Sequence, residues 1–169
     1  MALAVNTGGL FLAAVLAGTA LLPVGLSHAA GGEEVIKARI NFMKEDIGDQ
    51  WETLAAFASK GNGSLSDVEK SAAALAKLAG KIPEHFPKNT GRGNYPAKMT
   101  RTLPAVWTDW EGFKKDAKRL ADESAKLARL AKEGNKDAVV ALIGSSGKYS
   151  RTKIGCAECH KTFRGKKVK

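Results

Sequence analysis

The residues with the clearest chemistry lie near the C-terminus, where Cys156 and Cys159 are followed directly by His160. This Cys-x-x-Cys-His spacing is the signature of covalent haem attachment. Two thiols three positions apart on a helical turn can each form a thioether to one vinyl group of a protohaem. The adjoining imidazole then lies beneath the porphyrin, where its neutral nitrogen can bind iron. The sequence therefore predicts one covalent c-type haem, held by Cys156 and Cys159, with His160 as an axial ligand.

Other uses of the two cysteines are weaker alternatives. A thiol–disulfide redox motif would need a thioredoxin-like βαβ context, which the sequence lacks. A zinc site would need a fourth ligand, for which His85 is the candidate. A disulfide between the two thiols would leave His160 unexplained. With only two Cys in 169 residues, a four-thiolate zinc or iron–sulfur site within one chain is excluded.

The N-terminal segment carries no charged side chain, although the whole chain has a net charge of +10. Leu10 to Leu26 are apolar, small or weakly polar, and Ser27 and Ala29 fit a small-x-small cleavage pattern. We therefore predict that residues 1–29 are a secretory signal peptide and residues 30–169 one exported domain, in the bacterial periplasm. The segment lacks the usual Lys or Arg near its start, so an uncleaved membrane anchor stays an alternative.

After Glu33 the apolar residues recur at steps of three and four, which predicts helices. The first helix begins at Glu33 and extends over about 27 residues, with Ile36, Ile40, Met43 and Ile47 on its apolar stripe. It ends at Gly61-Asn62-Gly63. A second helix begins at Ser66, whose hydroxyl would form a capping box with Glu69, and ends at Pro83.

A loop rich in Pro and Gly follows over residues 83–103, and two more helices complete the predicted fold. Pro104 opens the third helix, with Thr102 as a possible cap, and this helix ends at Gly134. The fourth begins near 135–137 and continues past Gly144 and Gly147 to about Arg164. No alternating pattern indicates strands, so the predicted class is all-α, an antiparallel four-helix bundle.

Three segments resemble the class II cytochromes c, the family that includes cytochrome c′. They are residues 35–43 near the start, 103–107 at the opening of the third helix, and 155–164 at the end. The resemblance extends from Glu33 to Lys167 and implies a four-helix bundle with the haem on its last helix. By position, Cys156 and Cys159 would hold the haem and His160 would be the proximal ligand.

The resemblance also assigns roles to two arginines. Arg39 on the first helix matches an arginine that lies near a haem propionate in the family. Arg164, one turn after His160, matches a basic residue close to the proximal face of the haem. Each has a plainer explanation, since Arg39 could be a solvated helix residue and Arg164 could complement the dipole at a helix C-terminus.

The residue at position 43 departs from the pattern of cytochrome c′, in which an apolar side chain that does not bind iron usually stands four residues after the arginine. Met43 instead resembles the sixth ligand of the low-spin, methionine-ligated cytochrome c-556 type. Helical spacing places Arg39 and Met43 on one face, one turn apart. A Met on an apolar stripe is more often core filler, and Met99 is a competing candidate.

Two functions follow from the two possibilities at position 43. With Met43 and His160 as axial ligands, the protein would be an electron carrier. With an open distal site it would be a five-coordinate cytochrome c′ that binds or scavenges nitric oxide. We see no acid–base cluster and no nucleophile motif, so we predict that the protein is not an enzyme.

The basic charge is concentrated after the haem signature, in Lys161, Arg164, Lys166, Lys167 and Lys169. This tail predicts a redox partner with an acidic docking surface. Nucleic acid is not expected as a partner, because no recognition motif accompanies the Lys and Arg residues. The resemblance also implies a possible homodimer, although Phe42, Trp51 and Phe57 could instead belong to the core of one chain.

Overall fold

The fold was analysed in a computed structural model, which describes the backbone of residues 25–144 and 154–168 and side chains from residue 31 onward. Most of the predicted signal peptide, residues 1–24, lies outside the described residues. Within them the chain is helical, apart from loops and isolated bridges. None of the helices described is long and apolar enough to cross a membrane.

The first predicted helix is one helical run with an irregular turn inside it. It comprises α1 (Gly25–Asn41), a π-helical turn (Phe42–Asp46) and α2 (Ile47–Lys60). The Ile47 N–H donates to the Phe42 carbonyl five residues earlier, which inserts one residue into the helical register. The run begins at Gly25, before the predicted Glu33. The prediction of an uninterrupted α-helix was also wrong, because the π turn breaks the α-helical period.

The π turn changes which residues face the core. Ile36 and Arg39 are buried before it, Phe42 is buried at its first position, and the buried face resumes at Ile47. Ile40, which the simple period places on the apolar stripe, is 45% exposed. Arg39, the residue next to Ile40, takes the core-facing position in this turn instead.

The predicted cap of the second helix was two residues too late. Helix α3 spans Leu65–Lys81, and its N-cap is Ser64, whose hydroxyl accepts a hydrogen bond from the Asp67 N–H at 3.2 Å. The Asp67 carboxylate accepts in turn from the Ser64 N–H at 2.9 Å. The hydrogen bonds from Ser64 lower the pKa of Asp67. A short 3₁₀ helix, Ile82–His85, then leads into the predicted loop.

The third predicted helix is split in two. Helix α4 is Ala105–Thr108 and α5 is Trp110–Lys132. Asp109 between them has a non-helical backbone, and its carboxylate accepts from the Gly112 N–H at 3.1 Å, which caps α5. Pro104, rather than the predicted Thr102, stands at the N-cap position of α4, and it makes no side-chain cap.

The fourth predicted helix does not continue past Gly144. Helix α6, Lys136–Ile143, ends there because Gly144 adopts a φ of +99°, a value that side-chain-bearing residues rarely accept. Gly147 lies outside the described residues. Helix α7, Cys156–Phe163, carries the haem signature.

The helices form the predicted four-helix bundle around one core. Helix α3 packs most extensively on α5, α2 packs on α3 and α6, and α7 packs against α4 and α5. Short connections join α2 to α3 and α5 to α6, so neighbouring helices are antiparallel. Phe42, Trp51 and Phe57 are all buried within the single chain and belong to this core.

The Ser64 cap yields a test of the corrected helix start. We expect Ser64→Ala to lower the free energy of unfolding by about 1 kcal/mol, because the first turn of α3 loses its side-chain acceptor. The measurement is chemical denaturation of the holoprotein, followed by far-UV circular dichroism.

Ser66→Ala is the matched control. Ser66 is exposed in the first turn of α3 and is not the cap. Its substitution should change stability by less than about 0.5 kcal/mol. A larger loss for Ser66→Ala than for Ser64→Ala would contradict the cap assignment.

Candidate functional site

A cavity of about 490 Å³ lies between α1, the π turn, α5, α7 and the loop over 97–102. This volume is within the range of small-molecule and cofactor sites. Much of its wall is apolar, and the apolar side chains come from five separate segments of the chain. They include Ile47, Ile82, Phe86, Phe113, Leu120 and Phe163.

Helix α7 presents the three residues of the haem signature to this cavity. Cys156, Cys159 and His160 all line it, since positions i, i+3 and i+4 share one helical face. Both cysteines are free thiols, so the disulfide alternative is not what the structure contains. Burial, reinforced by the negative charge of Asp116, raises the pKa of Cys159 to about 12.

An ion pair attaches α7 to α5 beside the cysteines. Arg119 on α5 donates through Nη2 to Oε2 of Glu158 at 2.8 Å, and Glu158 stands between the two thiols in sequence. The Arg119 side chain also lies against Gly155, the N-cap of α7, where a Cβ would be 2.9 Å from Nε. Gly155 adopts a φ of +98°, so its backbone favours glycine, and a Cβ there would have to displace the Arg119 side chain.

Arg39 is the most buried charged residue of the site, with 3% of its surface exposed. Its guanidinium donates to Thr90 Oγ1 at 2.8 Å, to the Thr90 carbonyl at 2.7 Å and to Thr100 Oγ1 at 3.1 Å. It also lies 4.9 Å from the ring centroid of Phe86. Burial lowers the pKa of Arg39 to about 10, which leaves the group charged at neutral pH. The plainer alternative of a solvated Arg39 is therefore wrong, while its contact with a propionate stays a prediction.

The loop that accepts from Arg39 is also joined to the segment after α7. The Leu103 N–H donates to the Phe163 carbonyl at 3.0 Å, and the Gly165 N–H donates to the Arg101 carbonyl at 2.7 Å. Arg101 Nε donates back to the Gly165 carbonyl at 2.8 Å. This seam between residues 101–103 and 163–165 connects the loop directly to the end of the haem-signature helix.

The structure places the remaining predicted residues on the same cavity. Met43, half-buried in the π turn, lines it, and so does Met99 from the loop. Arg164 is exposed at the end of α7 and lines the cavity as well. The six predicted site residues therefore converge, although their contacts with a cofactor stay predictions.

Sequence reasoning missed several residues of the site. Asp116, half-buried in the cavity wall, gave no signal in the sequence beyond an acid on a helix. Thr90 and Thr100 lie in a loop without periodicity. The one available signal was Arg39 itself, because a buried guanidinium must find acceptors somewhere in the fold.

These residues fit a covalently attached haem. The wall is apolar, both thiols and an imidazole face the cavity from one helix, and the volume is adequate. The zinc alternative lacks support, since the part of the chain described here contains no cluster of three or more His, Cys, Asp or Glu that could hold a metal ion. His85 does not line the cavity, and its ring stacks on Phe42 at a centroid distance of 3.7 Å.

The burial of Arg39 yields a stability prediction. We expect Arg39→Leu to lower the free energy of unfolding by about 2–3 kcal/mol, since the buried Thr90 carbonyl loses its donor. Lys37→Leu, an exposed position on the same helix, removes the same charge and should cost less than about 0.5 kcal/mol. The measurement is chemical denaturation of both holoproteins. Equal losses would show that the charge matters and the hydrogen bonds do not.

The close approach at Gly155 yields a second prediction. We expect Gly155→Ala to reduce the fraction of chains with covalent haem several-fold, because the new methyl group must displace Arg119 beside the thiols. Gly93→Ala is the control, with a φ of +102° and no atom near its Cβ position. It shares the left-handed strain of about 1–2 kcal/mol without the clash. Haem absorbance per chain, measured after denaturation, reads out both. A similar yield for the two variants would mean that strain alone is responsible.

Comparison with known proteins agrees with this site. The sequence profile of the family described as Cytochrome C′ matches residues 34–164. The chain is 30% identical over 152 residues to the cytochrome c′ of Rhodopseudomonas palustris, covering 87% of this chain and 92% of that one.

Two solved structures have a similar fold. Cytochrome c′ from Rhodobacter Spheriodes superposes with a TM-score of 0.63 at 25% identity, over 80% of this chain and 98% of that one. A cytochrome c′ with an unusual ligand-controlled dimer dissociation superposes with a TM-score of 0.60 at 24% identity, over 80% of this chain and 97% of that one. A profile that matches from α1 to the end of α7, on a bundle whose last helix presents both thiols to the cavity, shows that this chain belongs to the cytochrome c′ family and carries a covalently attached c-type haem.

Proposed function

We propose that this cytochrome is an electron carrier in which His160 and Met43 are the axial ligands. The observation that carries the proposal is the π turn. Phe42 is directed into the core, where it stacks on His85, while the next residue, Met43, lines the cavity that also contains His160. π turns are frequent at functional sites because they redirect side chains.

The chemistry of the bound haem would follow from this ligand pair. A thioether opposite an imidazole favours ferrous iron, raises the reduction potential and keeps the spin low, which suits electron transfer. The chain's own contribution is to hold its ligands rigidly. Arg39 fixes the helix four residues before Met43, and the Arg119–Glu158 pair fixes the helix that carries His160.

A second candidate is binding of nitric oxide or carbon monoxide at an open distal site. The family match favours it, because the relatives compared are named cytochrome c′ rather than as methionine-ligated proteins. In this alternative Met43 is a half-buried side chain in the wall of the cavity and binds no iron. The methionine at position 43 decides between the two functions.

Two further properties belong to the proposal. The protein is exported by residues 1–29 and acts in the periplasm. A homodimer is proposed by analogy with the relative that dissociates on ligand binding. If it forms, its interface does not use Phe42, Trp51 or Phe57, which are buried within one chain.

The optical spectrum of the Met43→Leu holoprotein tests the ligand. We expect the unmodified protein to show sharp low-spin ferrous α and β bands and little change under carbon monoxide at neutral pH. Met43→Leu should convert this to a high-spin spectrum with prompt carbon monoxide binding, because the soft sixth ligand is removed. Leucine preserves the size and apolar character of the wall.

Met99→Leu is the matched control, since Met99 lines the same cavity from the loop. It should leave the spectrum low-spin. A low-spin spectrum that persists in Met43→Leu and is lost in Met99→Leu would assign the ligand to Met99. A high-spin spectrum in the unmodified protein would establish the gas-binding alternative instead.

A further inference from the structure

The turn between α2 and α3 contains the single Asn-Gly pair of the sequence, Asn62-Gly63. The other asparagines, at positions 6, 41, 89, 94 and 135, precede Thr, Phe, Thr, Tyr and Lys. The main-chain nitrogen that follows an asparagine can attack its side-chain amide, and a Cβ on the following residue hinders that approach. Glycine has no Cβ and the widest choice of backbone angles. The sequence therefore favours this reaction most strongly at Asn62.

The fold leaves both reacting groups accessible. Asn62 and Gly63 are exposed, and neither belongs to a helix. Gly63 adopts a φ of +87°, and the atom nearest to the position of a Cβ there is Oδ2 of Asp67 at 3.5 Å. Within the described residues, neither the Asn62 carboxamide nor the Gly63 N–H makes a hydrogen bond. The amide carbon and the nitrogen that would attack it are therefore not restrained by other contacts.

Two other asparagines on the surface are restrained by hydrogen bonds. Asn135 caps α6, and its side-chain oxygen accepts from the Ala138 N–H at 3.1 Å. After Asn94, the attacking nitrogen would be that of Tyr95, whose N–H already donates to the Gly91 carbonyl at 3.0 Å. These positions serve as internal references, because the fold protects one side chain and one main-chain nitrogen.

We propose that Asn62 is a deamidation site of the folded protein, converted to isoaspartate and aspartate without an enzyme. The Gly63 nitrogen bonds to Cγ of Asn62, which closes a cyclic imide, and the bond from Cγ to Nδ2 breaks. Nδ2 leaves as ammonia and carries away the proton of the Gly63 N–H. Water then adds to either imide carbonyl and opens the ring. The net reaction consumes one water and releases one ammonia, with no transfer of electrons.

The two products have different consequences for the turn. Only residues 61–64 connect α2 to α3, and both ends are fixed. The Gly61 N–H donates to the Phe57 carbonyl at 3.0 Å, and Ser64 caps α3. Isoaspartate adds a carbon to the main chain of this short connection, which should weaken the packing of α2 on α3. Aspartate adds only a negative charge near the N-terminus of α3, where the helix dipole favours an anion.

The turn lies at the end of the bundle away from the haem cavity. The 17 residues of α3, about 25 Å of helix, separate it from Ile82, which lines the cavity. Deamidation should therefore leave the haem spectrum unchanged while it lowers the stability of the bundle. The inference does not depend on whether Met43 binds iron.

The test is peptide mapping of holoprotein incubated in mildly alkaline buffer and then digested with trypsin. The peptides over residues 61–70 and 93–98 each contain one asparagine, Asn62 and Asn94 respectively. Mass spectrometry should show deamidation of 61–70 at least about tenfold faster, which corresponds to about 1.4 kcal/mol of activation free energy. Labelling by isoaspartyl methyltransferase should identify isoaspartate in the same peptide.

Two substitutions are the matched pair. Asn62→Gln should abolish the conversion of 61–70, because the longer side chain closes the ring poorly. Asn94→Gln should leave that conversion unchanged. Equal rates in the two peptides of the native protein, or conversion that persists in the 61–70 peptide of Asn62→Gln, would overturn the proposal.

The same incubation in guanidinium tests the role of the fold. Unfolding should speed conversion at Asn94 several-fold, because the Tyr95 N–H is released, and should change the rate at Asn62 little. A strong acceleration at Asn62 would show that the fold protects it and would overturn the proposal.

Stability separates the two products. Asn62→Asp has the charge without the added carbon and should unfold at the same denaturant concentration as the unmodified protein, while incubated holoprotein should unfold earlier. An unchanged midpoint in fully converted holoprotein would contradict the consequence drawn for isoaspartate.

Discussion

The guanidinium of Arg39, nearly removed from water, determines how the cavity is built. Burying an unpaired cation is costly, so its donors must be satisfied wherever the chain can supply acceptors. The loop after α3 supplies them from Thr90 and Thr100. A segment without helical or strand hydrogen bonding is thus held against α1 by charge-assisted hydrogen bonds, which are stronger than bonds between neutral groups.

The organisation of the site extends outward from that contact. The loop fixed by Arg39 is joined through the Arg101–Gly165 seam to the end of α7, and α7 is joined to α5 by Arg119 and Glu158. Through these polar contacts the helix with Met43 and the helix with His160 are held on one cavity. The bundle core beneath them supplies stability, while the polar contacts determine the relative placement of the two proposed ligands.

Much of this arrangement could be predicted from the sequence, because the signals were local or periodic. The spacing of Cys156, Cys159 and His160 indicated the cofactor, and the steps of three and four gave the all-α bundle. Competition between neighbouring residues was harder to predict. Ser64 and Ser66 are both plausible caps, and backbone geometry selected the earlier one. The π turn at Phe42 has no signature of its own in the sequence. The partners of Arg39 depend on contacts between distant segments of the chain.

The contact between Gly155 and Arg119 has a consequence for sequence variation within the family. The left-handed backbone at position 155 and the guanidinium against it restrict the two positions jointly. A relative with a side chain at position 155 should have a smaller residue in place of Arg119, and should then lack the ion pair to Glu158. Substitutions at positions 119, 155 and 158 should therefore occur together among relatives, while Cys156, Cys159 and His160 stay unchanged.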